Sequence, residues 1–152
     1  MANYKGHLFG GFAVFLMLMP FCINYLHTLT AYGISLGATL LGALFPDIDI
    51  KSKGQKLFYI SIIPLFVLFC IRDSWIACFV LSLIAFIPLV VKHRGIFHNF
   101  WFIITCVIAI SLLFANQHPN YQQLIQLAAL FFAAGVVSHL WLDFGIRFLI
   151  HS

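Results

Sequence analysis

Three short motifs contain most of the histidine and aspartate residues that could perform chemistry in this sequence. They are Pro46-Asp47-Ile48-Asp49, His93-Arg94-Gly95-Ile96-Phe97-His98 and His139-Leu140-Trp141-Leu142-Asp143. Imidazole combined with carboxylate suits zinc, iron or manganese. We therefore predict a divalent metal site, with zinc the favoured ion, whose candidate ligands are His7, Asp47, Asp49, His93, His98, His139 and Asp143.

The spacing within each motif limits how its side chains can meet. His139 and Asp143 are four residues apart, so a helix presents both on one face. Asp47 and Asp49 require an extended segment or a turn after Pro46, and the two histidines of the second motif require a turn at Gly95. The sequence thus predicts helical and non-helical ligands at one site.

The candidate ligands outnumber the four that one tetrahedral zinc takes, so one or two ions are possible. In a two-metal centre Asp47 or Asp143 would bridge the ions. Such centres activate water and hold the leaving oxygen of a phosphoester. Arg94, the arginine of the second motif, fits bidentate phosphate recognition.

Composition indicates where the site must lie. The chain has 152 residues, of which 63% are hydrophobic and 8% are charged, and it contains no glutamate. A soluble domain carries about a quarter charged residues. This composition excludes a soluble enzyme, a disordered tail and a disulfide-rich module, and it predicts an integral membrane protein with a single domain over 1–152.

Six apolar runs predict an all-α, polytopic membrane helix bundle with about six transmembrane helices. The runs are slightly short for a membrane span, so we expect the helices to extend into their polar flanks. They are Leu8–Leu26, Leu29–Phe45, Leu57–Ile71, Trp75–Val91, Phe100–Ala115 and Leu124–Leu142.

The distribution of basic residues predicts the orientation. Lysine and arginine occur almost entirely on the side that holds both termini, and Arg72 alone lies on the other side. The positive-inside rule therefore predicts cytoplasmic termini. All candidate metal ligands then lie at the cytoplasmic face. The sequence contains no concentrated basic stretch with interleaved aromatic residues, so it does not predict nucleic-acid binding.

Several residues also have simpler interpretations. Asp47 and Asp49 could end a helix in water, Arg94 could be a basic anchor, and His139 with Asp143 could form a helix-end hydrogen bond. His27, His118 and His151 are expected in loops or at the terminus. The four cysteines show no C-x-x-C spacing and are expected to be buried apolar residues, not a disulfide framework or a zinc site. Gly33-x-x-x-Gly37 indicates close helix packing, within one chain or between chains.

The combination of motifs resembles the YdjM family of inner-membrane proteins. Gly42-x-x-x-Pro46-Asp47-x-Asp49, His93-Arg94-Gly95-x-x-His98 and Ser138-His139-x-x-x-Asp143 follow His7 in the family's order, and only Asn99 stands where Ser or Thr is usual. The resemblance implies a membrane-bound metal-dependent hydrolase that spans the bacterial inner membrane several times. The H-x-x-x-D unit is more loosely similar to zinc-dependent phospholipase C and P1 nuclease, in which the aspartate bridges metals.

These observations lead to one functional prediction and two alternatives. We expect metal-assisted hydrolysis at the cytoplasmic headgroup level, acting on a phosphoester of a lipid or lipid-linked amphiphile. Its catalytic residues would be Asp47, Asp49, His93, Arg94, His98, His139 and Asp143. The alternatives are a metal or ion transporter and a non-catalytic membrane scaffold with a structural metal.

Overall fold

The computed structural model describes residues 3–48, 53–90 and 99–145. These ranges contain six α-helices and no strand. The helices are α1 (Tyr4–Leu18), α2 (Leu29–Leu44), α3 (Lys53–Ile71), α4 (Trp75–Val90), α5 (Phe100–Gln117) and α6 (Gln122–Phe144). Short 3₁₀ segments follow α1 and α2 and precede α6, at Met19–Tyr25, Phe45–Asp47 and Pro119–Tyr121.

The helices have the length and composition of membrane spans, which confirms the predicted all-α membrane bundle. Five are long and apolar enough to cross a bilayer once the adjoining 3₁₀ segments are counted. The shorter apolar helix is α4, whose qualifying segment is Trp75–Pro88. The side of the membrane on which the termini lie stays a prediction.

Most helices extend beyond the apolar runs, as expected. α1 begins at Tyr4, where the Asn3 side chain accepts a hydrogen bond from the Gly6 N–H, and α3 begins at Lys53. Asn99 accepts from Phe102 N–H at the start of α5. Such caps satisfy N–H groups at a helix end.

Helices α1, α2 and α6 pack against one another and form the centre of the bundle. Helix α5 lies against α6, while α3 and α4 form a hairpin. The hairpin joins the centre through the Phe45–Asp47 segment, where the Phe45 and Phe58 rings are 5.8 Å apart. Large apolar side chains on the outer faces of the helices are exposed, as in a protein surrounded by lipid.

Glycines allow the backbones of α2 and α6 to approach closely. A methyl group on Gly42 would overlap the Phe132 backbone, and one on Gly135 would overlap the Thr39 backbone. Lipid is as apolar as a leucine side chain, so membrane helices associate through close packing of this kind. This packing positions the C-terminal end of α2 beside the C-terminal end of α6.

The predicted Gly33-x-x-x-Gly37 contact does not form within the described part of the chain. A Cβ atom at either position meets nothing within 4 Å. Both glycines lie on α2, as Gly42 does, but they do not face α6 closely. The glycines at the α2–α6 contact, Gly42 and Gly135, form no G-x-x-x-G motif because they lie on two different helices.

Candidate metal centre

Four of the predicted ligands meet at one end of the bundle. His7 lies in the second turn of α1, Asp47 ends the 3₁₀ segment after α2, and His139 and Asp143 occupy the last turns of α6. We call these four residues the His–Asp cluster. His139 and Asp143 point to the same place because they are four residues apart on one helix.

The distances within the His–Asp cluster are longer than hydrogen bonds. His139 Nε2 lies 3.6 Å from Asp47 Oδ1 and 3.7 Å from Asp143 Oδ2. His7 Nε2 lies 3.6 Å from Asp143 Oδ1. Two ligands about 2.1 Å from a tetrahedral zinc are about 3.4 Å from each other. The spacing therefore fits atoms that share a metal ion.

A backbone carbonyl fixes the orientation of His139. The Nδ1 atom is 2.7 Å from the carbonyl oxygen of Ala43. Because a carbonyl only accepts hydrogen bonds, Nδ1 must donate, and the neutral ring then carries its lone pair on Nε2. That lone pair faces the carboxylates of Asp47 and Asp143, an arrangement that a cation between them would stabilise. A backbone partner of this kind is typical of metal-binding histidines.

The two imidazole rings of the cluster are stacked. The ring centroids of His7 and His139 are 3.7 Å apart and their planes differ by 12°. Two protonated rings in this arrangement would repel each other. His7 makes no side-chain hydrogen bond to the described residues through either ring nitrogen. A single divalent ion could bind one nitrogen from each ring and balance the charge of the two carboxylates.

Burial favours a bound cation and defines access to the cluster. The side chains of His7, His139 and Asp143 are at most 1% exposed, whereas Asp47 is 18% exposed. Burying carboxylates is costly unless an opposite charge or hydrogen bonds compensate them. Asp47 is thus the member of the cluster through which solvent or a ligand can reach the others.

The residues fit a divalent metal ion in number and in type. One ligand atom from each of His7, Asp47 and His139 lies within 4.8 Å of the other two. Asp143 approaches both histidines through different carboxylate oxygens. Nitrogen and carboxylate ligands without thiolate match zinc, iron or manganese, as the sequence predicts.

The remaining predicted residues fall into two groups. Asp49, His93, Arg94 and His98 lie outside the described residues, so their roles stay predictions. His27 and His118 are exposed residues beside helix ends, in keeping with the simpler interpretation. The structure also reveals the Ala43 carbonyl as the partner of His139. A backbone atom has no sequence signature, so motifs could not have identified it.

Comparison with known proteins gives one result. The family model described as YdjM inner membrane protein matches residues 1–149. The chain belongs to this family. Membership confirms the resemblance drawn from the motifs, and together with the apolar helices it shows a multi-pass membrane protein of the YdjM type. No curated protein and no solved structure matches the chain.

Proposed function

We propose that this YdjM-family protein is a metal-dependent hydrolase of the cytoplasmic membrane face. Its substrate would be a phosphoester in a lipid or lipid-linked amphiphile. The observation that supports this proposal is the buried His–Asp cluster, in which the His139 lone pair faces carboxylate oxygens at 3.6 and 3.7 Å. When bound, a divalent ion would lower the pKa of a coordinated water and polarise a phosphoryl oxygen.

The exposure of each side chain in the His–Asp cluster suggests its role in the proposed reaction. His7, His139 and Asp143 are buried and would hold the ion in a fixed position. Asp47, at the accessible edge, would orient the attacking water and accept its proton, because the chain offers no glutamate for general-base catalysis. Arg94, for which the sequence predicts phosphate binding, would hold the non-bridging oxygens of the substrate.

The position of the cluster favours an amphiphilic substrate. It lies at the ends of three apolar helices, the depth at which the headgroup of a membrane lipid would lie. Lys5 and Lys53 are exposed at the same end, and the Lys53 ammonium lies 5.3 Å from the Tyr4 ring centroid. Basic residues at this depth attract anionic headgroups.

Transport is less well supported by the core. The buried polar side chains within α2 are Ser35 and Thr39, and the Thr39 hydroxyl donates to the Ser35 carbonyl within the same helix. Among the described residues, no histidine or carboxylate continues from the cluster toward the middle of the bundle. A path for metal transport would require such ligands along the membrane-spanning part of the helices.

The decisive experiment measures metal in detergent-purified protein by elemental analysis. We expect near-stoichiometric zinc, manganese or iron in the wild type, and at least a tenfold loss in His139→Ala and in Asp143→Asn, because each removes a buried ligand. His27→Ala is the matched control, since His27 is exposed and outside the cluster. Unchanged metal in both cluster variants would refute the site.

A second measurement tests the reaction itself. The metal-loaded protein in vesicles containing anionic phospholipid should release phosphate or a phosphorylated headgroup, and Asp47→Asn should abolish release while retaining part of the metal. Metal bound by the cluster without turnover in a broad phosphoester screen would favour the structural-metal alternative. Uptake of metal into sealed proteoliposomes would favour transport.

A further inference from the structure

The turn between α3 and α4 brings two cysteines together, at the opposite end of the bundle from the His–Asp cluster. Cys70 lies in the last turn of α3 and Cys78 in the first turn of α4. Their Sγ atoms are 3.5 Å apart. Cys78 is buried and Cys70 is partly exposed. Neither residue contributes to the proposed hydrolase site.

Backbone hydrogen bonds hold this turn in one conformation. The Ser74 N–H donates to the Phe69 carbonyl at 3.0 Å, and the Asp73 N–H donates to the Cys70 carbonyl at 3.2 Å. Asp73 has a φ of 51°, in the left-handed region that aspartate tolerates better than most residues. This is the Schellman pattern of a helix C-terminus.

The same turn starts the next helix without an intervening loop. The Cys78 N–H donates to the Ser74 carbonyl at 3.0 Å, which begins α4. The positions of both cysteines are therefore set by local backbone structure. Closing the disulfide requires the two sulfurs to approach from 3.5 Å to roughly 2.05 Å.

The cysteine pair and the His–Asp cluster lie near opposite ends of helix α3. Helix α3 begins beside the cluster, where the Gln55 side-chain amide donates to the Ile48 carbonyl at 2.9 Å. It has 19 residues and so extends for about 28 Å. Since the basic residues predict a cytoplasmic cluster, we expect the cysteines at the extracytoplasmic end, where disulfides form and persist.

We propose that Cys70 and Cys78 form an intramolecular disulfide that joins α3 to α4 at the extracytoplasmic face. The oxidant is a reactive protein disulfide of that compartment. The Cys70 thiolate, the more accessible sulfur, attacks that disulfide and forms a mixed disulfide. Cys78 then displaces the oxidant. Both thiols lose their protons, one sulfur–sulfur bond forms, and the two electrons reduce the oxidant to two thiols.

The bond would hold together a hairpin that has few protein contacts of its own. Only 11% of the residues in the α3 span are buried within the protein. A covalent link near the turn restricts how far the two helices can separate in lipid. This proposal concerns the hairpin alone and does not depend on the metal centre.

The test identifies the disulfide by peptide mapping. Membranes are quenched with acid, free thiols are alkylated in denaturant, and the protein is digested with trypsin. Cleavage after Lys56, Arg72 and Lys92 places the two cysteines in separate peptides, 57–72 and 73–92. We expect these peptides to be joined until a reductant is added, and both cysteines to lack the alkyl label.

Variants separate this pair from the other two cysteines. The Cys22→Ser/Cys106→Ser double variant should keep the reductant-sensitive link, and Cys70→Ser should lose it. Denaturing before alkylation makes the thiol count independent of the fold of each variant. Alkylation of Cys70 and Cys78 in unreduced wild-type membranes would overturn the proposal, as would a reductant-sensitive link that persists in Cys70→Ser.

Discussion

The centre of the bundle and the α3–α4 hairpin are built differently. In the α2 and α6 spans 39% of residues are buried within the protein, whereas in the α3 span the value is 11%. The central helices meet through glycines that bring backbones into contact, while the hairpin meets the centre through aromatic side chains. The residues of the His–Asp cluster, which need a fixed geometry, lie at one end of the central helices α1, α2 and α6.

The difference has a physical origin. In lipid, moving an apolar side chain from the bilayer into the protein gains little, so hydrophobicity alone cannot fix one helix against another. Close packing and hydrogen bonds must do so. A metal site tolerates little displacement of its ligands, and the His–Asp cluster proposed to hold the ion lies beside the closest backbone contact.

The largest effect should come from a methyl group at the α2–α6 contact. Gly135→Ala places a methyl group against the Thr39 backbone, so we expect a destabilisation of about 1–3 kcal/mol and loss of bound metal. Gly37→Ala is the matched control on α2, since nothing lies within 4 Å of its Cβ, and it should change stability by less than about 0.5 kcal/mol.

Unfolding of both variants by denaturant in detergent, together with elemental analysis, would test this difference. Equal stability and equal metal content in Gly135→Ala and Gly37→Ala would contradict it. In that case the α2–α6 approach would not determine the position of His139 and Asp143. The packing of α1 against both helices would then be the more important constraint.

A smaller effect is expected at Asn99, the first described residue of the segment that leads into α5. Its side chain accepts from Phe102 N–H at 2.9 Å, which is an N-cap. Asn99→Ala should destabilise the protein by about 1 kcal/mol, and Asn99→Ser should largely restore it. Metal content should not change in either variant.

Thermal unfolding and turnover would distinguish the cap from a direct role. If Asn99 contacted the substrate instead, the alanine variant would lose activity at unchanged stability. The resemblance drawn from the motifs implies Ser or Thr at this position, and both are also good N-cap residues. Asn99, which stands in this chain where Ser or Thr is usual, therefore preserves the cap.

The motifs predicted part of the candidate site, and the packing of the helices shows how the remaining residue joins it. His139 and Asp143 share a helical face, so their spacing alone was sufficient to pair them. His7 belongs to no motif and had little support from sequence. Its burial and its stacking on His139 follow from the packing of α1 against α6, which only the three-dimensional arrangement shows.

The helix bundle was more predictable than its contacts. Apolar runs located the helices because the bilayer imposes a minimum length on each span. Sequence could not locate the contacts, since lipid-facing and protein-facing residues are equally apolar. The Gly33-x-x-x-Gly37 pattern illustrates this, because the glycines that pack are Gly42 and Gly135. The contact between Cys70 and Cys78 was missed for another reason, because it depends on the geometry of the turn between α3 and α4.

The smallest effect should come from the hairpin's own hydrogen bond. The Tyr59 hydroxyl donates to the Ala85 carbonyl at 2.7 Å, one turn before Pro88 in α4. A proline interrupts the helical hydrogen bonds around it, so nearby carbonyls benefit from a side-chain donor. Interhelical hydrogen bonds in membranes contribute about 0.6 kcal/mol on average, and Tyr59→Phe should cost about that much.

Tyr59→Phe also tests whether the two regions are independent. Because the bond lies within the hairpin, the variant should keep its metal and weaken only the α3–α4 contact. Cleavage by trypsin after Arg72, in the exposed turn, should therefore become faster in native detergent-solubilised protein while metal content stays constant. A parallel loss of metal would show that the hairpin helps to hold the His–Asp cluster, through the contact of Phe58 with Phe45.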